Sequence, residues 1–247
     1  MSSRLRLLAV STLCAVGLGA GIDRSAVAED FSKEEIEQIV RDYLMEHPEV
    51  ILDAVQAMQD RQAAEEAAMQ AQNLARLREE VIGGSSTMIA GNPDGDVTLV
   101  EFFDYRCSYC RRVVPALTAL IEADSGIRFA MKEFPILGEE SVYAARAALA
   151  AANQDSYWEM HLALIDFRGT YDETSVRAIA ADLGLDPDQL IADMTSPEVD
   201  AAINTNYELA QALGINGTPA FIIGDVIVPG AISLEAMQDL IDQARQG

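Results

Sequence analysis

At 247 residues, half of them hydrophobic and under a quarter charged, the chain can bury a sizeable core and has neither a disordered nor a collagen-like composition. Forty acidic against 17 basic residues give a formal charge of −23, a field that repels phosphate backbones and anionic lipid surfaces, so nucleic acid is not an expected partner. Three cysteines are too few for a disulfide scaffold.

Residues 1–28 read as a cleaved export signal. Arg4 and Arg6 form a basic start, Leu7 to Ile22 carries no charge, and Ala26-Val27-Ala28 is a small-x-small site ahead of Glu29. An uncleaved anchor is the competing reading, but the uncharged run of 16 residues is shorter than the roughly 20 needed to span a bilayer. Cleavage would remove Cys14 and leave Cys107 and Cys110 in a compartment where disulfides persist.

Residues 29–84 read as a helical arm. Ser32 and Glu35 have capping-box spacing, and Ile36, Ile39, Val40, Tyr43 and Leu44 recur at helical spacing. His47-Pro48 breaks this helix, and Glu49 to Ile82 then runs without Gly or Pro, enough for a helix of roughly 51 Å. Its apolar stripe is narrow and Ala-rich, so it needs a packing partner or a copy of itself. A solvated spacer is the alternative; the apolar face of residues 36–55, which would otherwise be an exposed patch, favours self-association.

Gly83-Gly84-Ser85-Ser86 ends the arm, and residues 85–247 form the second domain. Val97 to Phe103 is largely apolar on both faces, as in a central strand covered on two sides. Cys107-Ser108-Tyr109-Cys110 leads into a helix over 111–122, in which Pro115 should introduce a kink. A strand over 128–134, a mostly helical stretch over about 139–213, a hairpin of 220–223 and 226–228 turning at Gly224-Asp225, and a helix capped by Ser233 complete the chain. The expected class is α/β.

A strand feeding a helix at Cys107 sets Cys107 and Cys110 one turn apart. Their Cα atoms should lie about 5 to 6 Å apart, within disulfide range. Cys107, at the helix start, gains from unpaired N–H groups and the helix dipole, which favour the thiolate and make it the nucleophile. Cys110, deeper in the helix, becomes the resolving thiol. Structural zinc competes poorly, because no second cysteine pair exists and the two histidines, His47 and His161, lie in the arm and the helical stretch. A static disulfide closing so short a loop would stabilise little. No metal or cofactor is expected.

Glu101 shares a strand face with Val97, Leu99 and Phe103, and burial there would raise its pKa unless it is paired. Lys132 is the expected partner, and such a pair could move protons to and from Cys110. The alternative has both side chains reaching solvent at a sheet edge.

With these residues in place, the run from Val100 to Cys110, Lys132, and Gly217-Thr218-Pro219-Ala220-Phe221 resemble thioredoxin-fold oxidoreductases of the DsbA superfamily over nearly all of 87–247. The resemblance implies a thioredoxin fold with a helical insertion at 139–213, a buried Glu101–Lys132 pair, a cis-proline at Pro219 facing the cysteines, and Thr218 pairing with an extended substrate peptide. Residues 39–51 further resemble ScsC-like proteins, implying an oligomerisation stalk through 31–82. Thr218 before the proline resembles the isomerase and reductase members, although Ser108-Tyr109 is not diagnostic of direction, and Tyr105-Arg106 is unlike thioredoxin's own motif.

The resulting expectation is a periplasmic thiol-disulfide oxidoreductase acting on unfolded or misbonded exported proteins, with isomerase or reductase work favoured over DsbA-like oxidation, and with a membrane redox partner. A Cu(I)-binding module using the two cysteines is the alternative from a different class, since soft thiolates suit that ion.

Overall fold

The computed structural model describes residues 31–246; the export signal expected at 1–28 lies outside the described residues. The chain divides into two compact units, up to Ala57 and from Met58.

In the first unit, α1 (Lys33–Glu46) begins at Ser32, whose hydroxyl accepts from the Glu35 amide at 3.2 Å while the Glu35 carboxylate accepts from the Ser32 amide at 2.9 Å. The helix ends at His47, and α2 (Glu49–Gly83) follows Pro48. No residue of α1 is buried, and Phe31, Ile36, Ile39, Val40, Tyr43, Ile51 and Leu52 are each at least half exposed.

The second unit is built on one five-stranded mixed sheet. In chain order its strands are β1 (Met88–Gly91), β2 (Val97–Phe103), β3 (Ile127–Glu133), β4 (Ala220–Ile223) and β5 (Val226–Pro229), arranged β1-β3-β2-β4-β5. The central β2 runs parallel to β3, with Val97 opposite Ile127 and Phe103 opposite Glu133, and antiparallel to β4, with Phe102 opposite Ala220. The parallel step is made by α3 (Ser108–Ala123), which carries Pro115 within it. Between β3 and β4 come α4 (Glu139–Ala151), α5 (Tyr157–Asp166), α6 (Glu173–Asp182), α7 (Pro187–Asp193) and α8 (Pro197–Ala212), and α9 (Leu234–Gln246) closes the chain behind Ser233.

Strand alternation divides the core in two. Leu99, Phe103, Phe129 and Met131 pack with Val113 and Leu117 of α3, the alanine-rich face of α4, and Met237 and Ile241 of α9. Val100, Phe102, Ala130 and Ile222, on the opposite face, pack with Leu74 and Val81 of α2 and Leu209 and Leu213 of α8. Both faces of β2 are therefore covered, which is why its sequence is largely apolar apart from Thr98 and Glu101. The later part of α2 belongs to this unit, fixed also by Gln70 and Asn73 donating to the carbonyls of Leu213 and Ala212 at 2.7 and 2.8 Å. Among the described residues no helix is long and apolar enough to cross a membrane.

Leu74 is 3% exposed and Met69, on the same helix, 63%. Leu74→Ala is expected to cost about 2 to 5 kcal/mol in urea unfolding and Met69→Ala less than about 0.5 kcal/mol; equal effects would show that α2 does not pack here.

Candidate active site

Cys107 stands between β2 and α3 in the cap position of the helix, with φ −71° and ψ 114°. The loop leading to it is held by Asp104, which is buried. Its Oδ1 accepts from the Arg106 amide at 2.7 Å and the Ser141 hydroxyl at 2.8 Å, its Oδ2 from the Leu137 amide at 2.9 Å, and its carbonyl from the Cys107 amide at 3.0 Å. Thr218-Pro219, a cis peptide at the start of β4, faces it from the neighbouring strand. The Cys107 thiol donates to the Thr218 carbonyl at 3.2 Å, and the Cys110 amide donates to Cys107 Sγ at 3.5 Å.

The two sulfurs are free thiols in different surroundings. Hydrogen bonding from the Cys110 side chain, opposed by burial and aided by the Thr218 side chain and the amides of Cys110 and Tyr109, holds Cys107 down at about 5. Burial first, then the hydrogen bond with Cys107 and the charge of Glu101, push Cys110 far above the ordinary thiol range. At neutral pH the pair holds one thiolate and one thiol.

Glu101 is 2% exposed, and its carboxyl is pushed well above the usual carboxylate range by burial, then by the charges of Cys107 and Glu133. Lys132 does not join it. Glu101 lies opposite Met131 and Lys132 opposite Phe102, so alternation sends the two side chains through opposite faces of the sheet. The expected buried pair is therefore not formed. Lys132, fully buried, donates instead to the Glu80 carbonyl at 2.9 Å, to the Ser86 hydroxyl at 3.3 Å and to the Thr87 hydroxyl, tying β3 to the end of α2. Burial lowers its pKa to about 8. The structure thus brings Cys107, Cys110, Glu101, Thr218 and Pro219 together and leaves Lys132 behind the sheet.

Glu133, which the sequence pattern does not single out, lies on the same face of the sheet as Glu101. Its Oε1 accepts from the hydroxyls of Tyr105 at 2.9 Å and Tyr157 at 2.8 Å, its Oε2 has no partner among the described residues, and burial raises it to about 8. Tyr105 also meets His161 Nδ1 at 3.2 Å, and burial lowers that imidazole to about 3, so it stays neutral. The available signal is a second carboxylate in a largely apolar strand. Among the described residues no three His, Cys, Asp or Glu side chains group to hold a metal ion.

A family model described as a DSBA-like thioredoxin domain matches residues 98–242, and one described as the copper resistance protein ScsC N-terminal domain matches residues 33–65. The fold resembles a thioredoxin-like oxidoreductase from Silicibacter pomeroyi, at 47% identity and a TM-score of 0.67 over 69% of this chain and 98% of that one. It also resembles BcfH of Salmonella enterica Typhimurium, at 31% identity and 0.70 over 86% and 95%, and a linker-deletion mutant of Proteus mirabilis ScsC, at 25% and 0.66 over 88% and 98%. Among curated relatives, the Na(+)/H(+) antiporter NhaA 1 of Salinispora arenicola is 27% identical over 161 residues, 64% of this chain. The chain spans about a quarter of the length of the curated relatives it matches.

A Cys107 pKa of about 5 against 9 for an ordinary thiol means the thiolate stabilises the reduced fold fully above pH 9, and that this contribution is lost as pH falls through 5. The stability difference between the reduced protein and Cys107→Ser is therefore expected to grow from pH 5 to pH 9 in urea unfolding. A flat difference would mean the thiolate is not favoured by the fold.

Proposed function

Since the chain belongs to the family of DSBA-like thioredoxin-domain oxidoreductases, with an ScsC N-terminal domain ahead of that fold, we propose that it exchanges disulfides in exported proteins, as an isomerase or reductase. The observation that carries this reading is the unequal pair of thiols at the start of α3, one favouring the thiolate and facing Thr218.

The Cys107 thiolate attacks one sulfur of a client disulfide; that S–S bond breaks, its electron pair leaves on the other client sulfur, and Cys107 is joined to the client. The Cys107 charge disappears in this step. That charge helps raise the pKa of both Cys110 and Glu101, so its loss makes Cys110 easier to deprotonate when a second thiolate is needed. Glu101 in its ionised form takes the proton. Cys110 then attacks the Cys107 sulfur, closing a Cys107–Cys110 disulfide and releasing the reduced client as a thiolate, or another client thiolate attacks the client sulfur of the mixed disulfide, forming a rearranged client disulfide and returning Cys107 as its thiolate. Net reduction requires a reductant to return two electrons, which we assign to a membrane redox partner. Thr218 and Pro219 hold the client backbone, and Lys132 acts as a latch on α2 rather than in proton transfer.

The exposed apolar face of α1 and early α2 supports self-association as the basis for isomerase work. A homo-oligomer through residues 31–82 would surround one client with several Cys107 thiolates and raise their effective concentration. Export through the signal at 1–28 completes the proposal, supported by the likeness to a periplasmic thioredoxin-like protein of Salmonella enterica serovar Typhimurium.

The test is reactivation of scrambled ribonuclease in glutathione buffer by the mature chain and by a variant carrying Ile39→Asp and Val40→Asp, both sites being about half exposed. The unaltered protein is expected to sediment as an oligomer and reactivate the substrate, and the variant to sediment as a monomer with at least about tenfold lower reactivation. If neither reactivates it but both oxidise a reduced peptide, the protein is an oxidase.

A further inference from the structure

On the insertion side of α3, Arg106, Arg111, Arg168, Glu140, Tyr171 and the Gly169-Thr170 loop line a depression of about 450 Å³. In a chain of formal charge −23, three guanidinium groups meet one carboxylate here. Arg106 immediately precedes Cys107, and Arg111 immediately follows Cys110, with its amide donating to the Cys107 carbonyl at 3.1 Å.

Arg106 and Arg111 are positioned by neutral oxygens. Arg111 Nε donates to the Tyr105 carbonyl at 2.9 Å and its Nη2 to the Tyr171 hydroxyl at 2.9 Å, which in turn donates to the Leu164 carbonyl at 2.8 Å. Arg106 Nη1 donates to the Leu137 carbonyl at 3.0 Å. Neither Arg106 nor Arg111 forms an ion pair among the described residues; Arg168 pairs with Asp166 at 3.3 Å across an exposed contact. Carbonyls orient a guanidinium without cancelling its charge, and planar N–H groups on Arg106 and Arg111 remain to be used. The one acid lining the depression, Glu140, accepts from the Tyr171 amide at 3.2 Å and would oppose a dianion more strongly than a monoanion.

We infer that this depression binds a carboxylate carried by the thiol or disulfide substrate close to its reacting cysteine. The inference rests on the reading that Cys107 performs the exchange. A separate depression formed by Tyr109, Arg112, Val113, Thr218 and Gly230 to Ile232 lies on the cis-proline side of α3. A substrate held at Thr218 with its sulfur at Cys107 thus has a cationic surface on the other side of the helix. The carboxylate has two sources, an acidic residue beside a client's cysteine or a small acidic thiol such as glutathione.

The experiment measures exchange rates of the reduced mature chain at low salt with two matched substrate pairs. One pair consists of otherwise neutral disulfide-linked peptides bearing Glu or Gln beside the cysteine; the other is glutathione disulfide and its ester. The overall negative field alone would make each acidic form slower, so the sign discriminates. An acidic form faster by about five- to twentyfold, with the ratio falling to unity or below in a variant carrying Arg106→Gln and Arg168→Gln, supports the site. The pair showing the effect identifies the source. Ratios at or below one in both pairs for the unaltered protein, or ratios unchanged in the variant, overturn the inference while leaving exchange by Cys107 intact. Failure of every substrate to react overturns both.

Discussion

One negative charge, the thiolate of Cys107, is supported at the first turn of α3 while Cys110, Glu101 and Glu133 are pushed toward their neutral forms. Amides of the first turn and the Thr218 side chain stabilise that sulfur, and Asp104 fixes the loop that delivers it. Cys110 and Glu101 feel the same charge from buried positions and resist ionising. Removing the charge relaxes both groups. In the exchange proposed above, the charge on one sulfur thereby bears on how readily the next ionises.

The sheet makes this asymmetry possible by separating its two faces. Glu101 and Glu133 point into the larger core, the side of Cys110 and α3, whereas Lys132 points into the core shared with α2 and α8. A cation beside Glu101 would keep that carboxylate ionised and weaken its response to Cys107. Behind the sheet, Lys132 instead joins the strand that neighbours the site to the end of the helix leading from the first unit.

Much of this was legible in local sequence. β2 was read at its observed bounds, β3 within one residue of its ends, and the β4–β5 hairpin and the Ser233 cap emerged from turn chemistry and strand propensity. The cysteine spacing, with the following helix, also conveyed the difference between the two thiols. What escaped were facts of partner and face. β1, only four residues at the sheet edge, lacks an alternation that would mark it. The Glu101–Lys132 pairing failed because each strand's period was readable but the register between strands was not. A shift of one position exchanges the faces. Likewise, Gly83-Gly84 marks where α2 ends, while packing on the sheet already includes Leu74, a residue indistinguishable by itself from the rest of a sparse apolar stripe.

Competitive labelling of the reduced mature protein at neutral pH, with one equivalent of iodoacetamide and the modified residue located by mass spectrometry, bears most directly on the division of charge between the cysteines. The expected result is modification confined to Cys107, with Cys110 remaining unmodified until the protein is unfolded. Comparable modification of Cys110 in the folded protein would contradict the assignment of a single thiolate at the start of α3.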